Sequence, residues 1–391
     1  MGDEPVSIES AFLREKVEQA RVLRPLILAH RDEFDQERRL SQPVVEALVE
    51  LGGFRAVVPK AAGGEEWDWL VFMRVVEELS AIDGSVGWTM GVGGGVGAIV
   101  SGWLSAEAAR DVFCTDPVGL VAGALQRNGR ATAVEGGYRL SGRWSFASGA
   151  AHAAWFMGGY SLDDPEANPP PGNGPALFVP LREVTILDTW SVGGMRGTSS
   201  HDFEVHDVFV PARYAANPAA TAPSHPGPLY RLPFTLVLGS GLGPLVLGMA
   251  RGAVDCFTEL MASKIDRRGG GRLADRLTVQ ERLAQAEAAI RSARAFLYET
   301  ARDARETVRG GAPLTDRQVA MYRLANMNAT ASGAHAVDLV YKAAGTSGIY
   351  TENPLERFFR DVHVATQHRQ ASPEEMYQVG AMLLDEAQTS R

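Results

Sequence analysis

Residues 131–149, ATAVEGGYRLSGRWSFASG, alternate apolar and polar side chains over short runs and place glycine at the breaks. Segments 131–134, 138–140 and 144–146 read as strands, with Glu135-Gly136-Gly137 as the hairpin turn between the first two. The pattern extends outward to 118–122 on one side and to 176–179, 184–187 and 203–210 on the other. In His201-Asp-Phe-Glu-Val-His-Asp-Val-Phe-Val the alternation holds at Phe203 and Val205 and slips near Asp207, which predicts a bulge. Residues 163–175, DDPEANPPPGNGP, read as a surface loop.

Both flanks of this β region are helical. Val17, Ala20, Leu23 and Ile27 lie on one helix face within 11–39, with Pro25 expected to kink or divide it. Further helices are expected over 44–51 and 67–82, and from Asp83 through Trp88 to about Leu104. Residues 211–233 read as a linker or lid. Residues 234–250 read as a buried core helix, too short and too rich in glycine for the ~20 residues a membrane span needs. Leu283, Ala286, Ile290, Ala293, Leu297 and Ala301 form one bundle-facing stripe, and 316–344 is a second long helix. The chain therefore divides into an N-terminal helical domain (1–115), a middle β domain (116–225) and a C-terminal helical bundle (226–391).

Composition removes several function classes. With 38 Lys+Arg against 47 Asp+Glu the net charge is −9, the wrong sign for a nucleic-acid partner. Cys114 and Cys256 are too far apart for a redox or zinc CxxC, and they fit a reduced, cytoplasmic protein. The acidic opening MGDEPVSIES is not a secretory signal, and no membrane association is expected. No phosphate-loop motif, H-E-x-x-H or G-x-S-x-G is present, and Gly93–Ala98 meets only a loose G-x-G-x-x-A within a helical stretch. A nicotinamide site and a metal site are therefore not expected.

Four stretches carry a family resemblance. Val58-Pro59-Lys-Ala-Ala-Gly63-Gly64 with Glu77-Glu78-Leu79-Ser-Ala-Ile-Asp83-Gly-Ser resembles the opening of the acyl-CoA dehydrogenase superfamily. Gly142-Arg-Trp144-Ser-Phe146-Ala147-Ser148-Gly149 resembles its flavin-face strand. Gly194-Met-Arg196-Gly197-Thr198, running on to Pro211, resembles its second β signature. Gly345-Thr346 through Glu356-Arg357 to Arg360-Asp361 resembles its C-terminal signature. The resemblance implies a mainly α fold with a middle β-barrel and a C-terminal four-helix bundle, flavin at the domain junction, and a homo-oligomer, tetramer or dimer.

The departures point to one branch. Where some dehydrogenases of this superfamily carry a glutamate base shortly after the Arg-Asp pair, this chain has Arg369, and a guanidinium cannot serve as a base. The first bundle helix offers only Asp255 and Glu259 as substitutes, which leaves an acyl-CoA dehydrogenase or oxidase as the alternative. WSFASG and Arg360-Asp361-Val-His363-Val-Ala-Thr366-Gln-His368 resemble instead the two-component monooxygenase branch. That resemblance implies an oxygenase supplied with reduced FAD or FMN, FAD favoured, by a separate NAD(P)H:flavin reductase. With O₂ it would form a C4a-hydroperoxyflavin and hydroxylate a hydrophobic aromatic small molecule. Phenol-hydroxylating members carry a histidine after the pair matching Gly87-Trp88, and the corresponding place here is Val96. An indole or polycyclic ring is therefore expected over a simple phenol, with N- or S-oxygenation as a further alternative.

The resemblance assigns residues to roles. Ser148 is expected to accept the flavin N5–H, with Ala147 and Gly149 beside it and Trp144 or Phe146 either walling the flavin or filling the β core. His368, with His363, is expected to hydrogen-bond the reactive oxygen or take a substrate proton. Arg196, Thr198 and Arg267 are expected at the flavin phosphates, with Gly345 and Thr346 also near the cofactor. Trp88, Val96 and His152 are expected at the substrate. Glu356, Arg357, Arg360 and Asp361 read as a structural ion-pair cluster.

Overall fold

The computed structural model describes residues 8–164, 175–218, 220–239, 241–265 and 271–389. Helices Ile8–Val22 and Arg24–Glu37 meet at Leu23, with Pro25 in the first turn of the second. Its missing N–H costs nothing there, so the proline divides the stretch without breaking either helix. Helix Trp69–Ile82 starts where Asp68 accepts the Leu70 N–H and buries Val71, Phe72, Val75, Val76 and Leu79. Glu77 is buried on the same helix and is bonded by Arg74 (2.7 Å), Arg294 (2.7 Å) and the Tyr298 hydroxyl (2.6 Å). Burial pushes its carboxyl up even so.

Asp83 ends that helix and caps the next, Gly84–Trp88, by accepting from Ser85 N and Val86 N. The single helix expected onward to Leu104 is a composite. A π-helical turn spans Thr89–Gly94, α-helix resumes over Gly95–Val100, and a 3₁₀ turn closes Ser101–Trp103. The glycines serve close packing: a methyl at Gly93 would sit 3.0 Å from the Ser148 carbonyl oxygen. Gly97 likewise faces Val121, while Gly91, Gly94 and Gly95 meet Val76, Phe54 and Phe72 of the helical regions.

Among the described residues the middle region is one seven-stranded sheet. Its strands are β1 (Val121–Val134), β2 (Gly137–Ala147), β3 (Trp155–Leu162), β4 (Ala176–Pro180), β5 (Thr185–Leu187), β6 (His201–Pro211) and β7 (Ala215–Ala216), in the order β5-β6-β2-β1-β3-β4-β7. The β1–β3 pair is parallel and the others antiparallel. The barrel expected from the family resemblance is not closed, because β5 and β7 are separate edges. The hairpin at Gly136 (φ +80°) and the slip at Asp207 (φ +51°) are both present, the latter where pairing steps from Leu140–Val208 to Gly142–Val205. Much of the loop expected at 163–175 lies outside the described residues. Trp144 fills the sheet core: it stacks on Phe203 at 4.9 Å, donates to Gly159 O at 2.8 Å, and occupies a slot made by Gly129, Gly142 and Gly158.

Helices Leu242–Ser263, Leu277–Arg309, Asp316–Ala344 and Pro373–Thr389 form the C-terminal bundle. Ala286, Ile290, Ala293, Leu297 and Ala301 are buried as the stripe predicts. The helix Asp316–Ala344 has the expected bounds and opens on a Thr315–Gln318 capping box. Among the described residues, the apolar stretch 234–263 is the one long and apolar enough to cross a membrane, and 69% of its apolar window is buried inside the fold.

An ion-pair knot joins the three regions. Arg357 on helix Pro354–Ala365 reaches Asp83 (3.4 Å) and Asp35 (3.2 Å). Arg360 bonds Glu356 (2.6 Å) and Asp35 (3.2 Å), and Asp361 accepts the Met195 N–H at 2.5 Å. Burial, then the neighbouring Asp83, raises the Asp361 carboxyl above its ordinary range.

Candidate active site

The end of β2 is built to expose one face and bury the next residues. Phe146 has φ +68°, a costly conformation for a bulky side chain, and is 64% exposed. Ala147 and Ser148 turn inward and are buried. Gly149, at φ +82°, donates its N–H to Thr198 O at 2.8 Å, so the turn is docked on the loop before β6. Ser148 Oγ accepts from Trp88 Nε1 at 2.9 Å and lies 2.8 Å from Ser200 Oγ. Ser200 Oγ is 2.7 Å from Thr198 Oγ1, which donates to Met195 O at 2.9 Å.

His368 closes the other side of Trp88. The two rings meet edge to face at 5.7 Å. Burial, with a lesser push from Arg369, lowers the imidazole to about 4, so it is neutral at pH 7. Its Nδ1 accepts the Gln370 N–H at 3.4 Å, which leaves the proton of the neutral ring on Nε2. His368 thus presents a hydrogen-bond donor and is a poor base. Gln370 holds this segment by donating to Leu238 O at 2.6 Å. Between Gly84 and Gly102 only Val92 and Val96 are not fully buried, and they lie one turn apart on one face. Indole, hydroxyls and a neutral imidazole come together here, and among the described residues the direct partners of Trp88, Ser148 and His368 include no carboxylate.

Comparison with known proteins places this geometry. Two families match, described as acyl-CoA dehydrogenase, N-terminal domain, over residues 11–111 and acyl-CoA dehydrogenase, C-terminal domain, over residues 240–373. Indole-3-acetate monooxygenase of Pseudomonas putida is 33% identical over 342 residues, covering 86% of this chain and 85% of that protein. The chain belongs to the acyl-CoA dehydrogenase superfamily, in its flavin-dependent monooxygenase branch. A second relative in this branch is the oxygenase component of an FADH(2)-dependent resorcinol hydroxylase from Rhizobium sp. It is 31% identical over 360 residues, 85% of each chain. The crystal structure of the HsaA monooxygenase from M. tuberculosis matches with a TM-score of 0.86 at 25% identity, covering 95% of this chain and 97% of that one.

Other residues expected at the site have their contacts within this chain away from the Trp88–Ser148–His368 cluster. His363 is 3.0 Å from Asp338 and packs edge-on against Phe359, so it serves helix packing and not the Trp88 cluster. Trp144 is core and walls nothing. Arg196 donates to Asp35 O (2.9 Å) and Val192 O (3.5 Å). The Thr198 hydroxyl proton is likewise committed to Met195 O. His152 is drawn toward Leu40 and Arg39, where burial, then Arg39, lowers it to about 4, and its Nε2 has no partner. Gly345 and Thr346 are exposed in a 3₁₀ turn after the long bundle helix, with no contact to Ser148 among the described residues. Arg267 lies outside the described residues. Asp255, the dehydrogenase alternative, is bound by Arg251 at 2.7 Å. The reading of the chain missed Ser200, Val92, Gln370 and the π-turn. Ser200 had one usable signal, its place two residues after Thr198 in the β signature.

Proposed function

We propose that this protein is the oxygenase component of a two-component flavin-dependent monooxygenase that hydroxylates a hydrophobic aromatic small molecule of the indole or polycyclic class. The observation that carries the reading is the Ser148–Trp88–His368 constellation, polar yet without a general-base carboxylate. The flavin fits this chain's residues. Phe146 offers an exposed aromatic face at the strand end, and Ser148 beside it keeps one unfilled lone pair on a hydroxyl. Reduced flavin, when bound, reacts with O₂ and supplies the oxygen atom that is transferred. Ser148 holds the N5–H, and the buried surroundings keep water from carrying that proton away. His368 donates Nε2–H to the oxygen being transferred or to a substrate heteroatom. Trp88, Val92 and Val96 supply the apolar wall for a ring that needs no deprotonation. FAD is favoured over FMN by the FADH(2)-dependent relative. Exposed Ile349, Tyr350, Met376 and Tyr377 support a homo-oligomer, a tetramer or a dimer.

The test is a reaction of the anaerobic protein–reduced flavin complex with ¹⁸O₂ over a panel of indoles and polycyclic aromatics. One ¹⁸O atom in the product is expected. Bleaching of stably bound oxidised flavin by an acyl-CoA, without oxygen incorporation, would overturn the reading in favour of a dehydrogenase.

A further inference from the structure

The hydroxyl chain behind Ser148 has a direction. Trp88 Nε1–H at one end can only donate, and Met195 O at the other can only accept. Between them stand three hydroxyls, Ser148, Ser200 and Thr198, so that with the Trp88 N–H there are four protons for four links. Every link is made in one arrangement alone: Trp88 to Ser148, Ser148 to Ser200, Ser200 to Thr198, Thr198 to Met195. The three side chains are 5%, 4% and 1% exposed, so water does not replace a broken link.

In that arrangement the Ser148 proton is committed to Ser200, and the lone pair left over on Ser148 is an acceptor. Reduced flavin carries a proton on N5 and oxidised flavin does not. To donate to oxidised N5, Ser148 must give up its bond to Ser200, or Ser200 must turn away from Thr198 to supply Ser148, so one link of this buried chain is lost. We propose that Ser200 and Thr198 are positioning residues that hold Ser148 as an acceptor and so make the site select reduced over oxidised flavin. This rests on the flavin reading above and adds to it the means of selection. A component that receives its flavin by diffusion from another protein needs such a preference, because both redox states are present and only one reacts with O₂.

The experiment measures the Kd of reduced and oxidised FAD and FMN, anaerobically, for the wild type, Ser200→Ala, Thr198→Val and Thr198→Ser. One buried hydrogen bond sets the scale of the preference supplied by the chain at about fivefold to tenfold. Ser200→Ala and Thr198→Val are expected to lower the oxidised-to-reduced Kd ratio by that factor. Thr198→Ser, which keeps the hydroxyl, is expected to retain the wild-type ratio. The midpoint potential of the bound flavin gives an independent reading, since a tenfold change in ratio is about 30 mV for a two-electron couple. Wild type that binds flavin in neither state sinks the oxygenase reading and the relay with it. Wild type that prefers reduced flavin, with Ser200→Ala and Thr198→Val keeping the same ratio, sinks the relay alone. So does a Thr198→Ser protein that behaves like Thr198→Val.

Discussion

The Trp88 indole crosses from the N-terminal helical domain to the β domain and gives its N–H to Ser148 Oγ at 2.9 Å. Trp88 is the last residue of a helix capped by Asp83, and Ser148 ends a turn held by Thr198, so both partners are fixed from behind. Removing the hydroxyl at this junction should uncouple oxygen consumption from product formation. Ser148→Ala is expected to release more hydrogen peroxide and form less product per flavin oxidised, by about tenfold. Trp88→Phe, which keeps the ring and loses the donor, should fall between wild type and Ser148→Ala. The ratio of peroxide to product, measured together, checks both.

His368 offers an N–H and titrates near 4. His368→Phe is expected to lower kcat by about 10²-fold, the usual cost of one preorganised donor. His368→Gln, which retains an N–H, should recover a large part of that loss. The pH–rate profile of the wild type should show no limb near 6.5 from this residue. A limb there that vanishes in His368→Gln would restore it as a base.

Acid stability follows from two half-buried histidines. His152 and His368 both fall to about 4 in the folded protein, from 6.5 when unfolded. The unfolded chain therefore binds more protons between those values, and stability is full above about pH 6.5 and falls as pH drops toward 4. Melting temperature measured from pH 4.5 to 7.5 should decline on the acid side. The double variant His152→Gln, His368→Gln should show a shallower decline. An equal slope in both proteins would assign acid lability to other groups.

Gly158 leaves room for the Trp144 ring. A methyl there would sit 2.6 Å from Trp144 Cζ2, with sheet backbone on either side preventing retreat. Gly158→Ala is expected to cost about 1–3 kcal/mol by overpacking. Chemical denaturation followed by tryptophan fluorescence reads the loss.

The order of helical, β and helical regions was legible because each region keeps its own period. The turn at Glu135-Gly136-Gly137 and the bulge at Asp207 followed from local chemistry. Strand β3 was not legible: WFMGGYSL is buried on both faces over Trp155–Tyr160, so no alternation marks it, and its glycines read as breaks. Closure of the sheet was over-read, because it depends on the pairing of short edges and not on any strand's own pattern. Ser148 carried a motif in the sequence, whereas Ser200 has the composition of any loop serine until the fold buries it. His363 and His368 look alike in sequence. Only packing separates the one bonded to Asp338 from the one facing Trp88.

The knot of Asp83, Arg357, Asp361 and Met195 has a consequence for how the chain matures. Asp83 sets the helix that ends in Trp88, Asp361 holds Met195, and Met195 O terminates the hydroxyl chain from Ser148. The donor at one end and the acceptor at the other are both set in place by the helix Pro354–Ala365, near the end of the polypeptide. A nascent chain that has folded its first two regions still lacks the finished cradle. The two ends of the hydroxyl chain are therefore set by one helix, and a change that loosens Pro354–Ala365 would disturb donor and acceptor together.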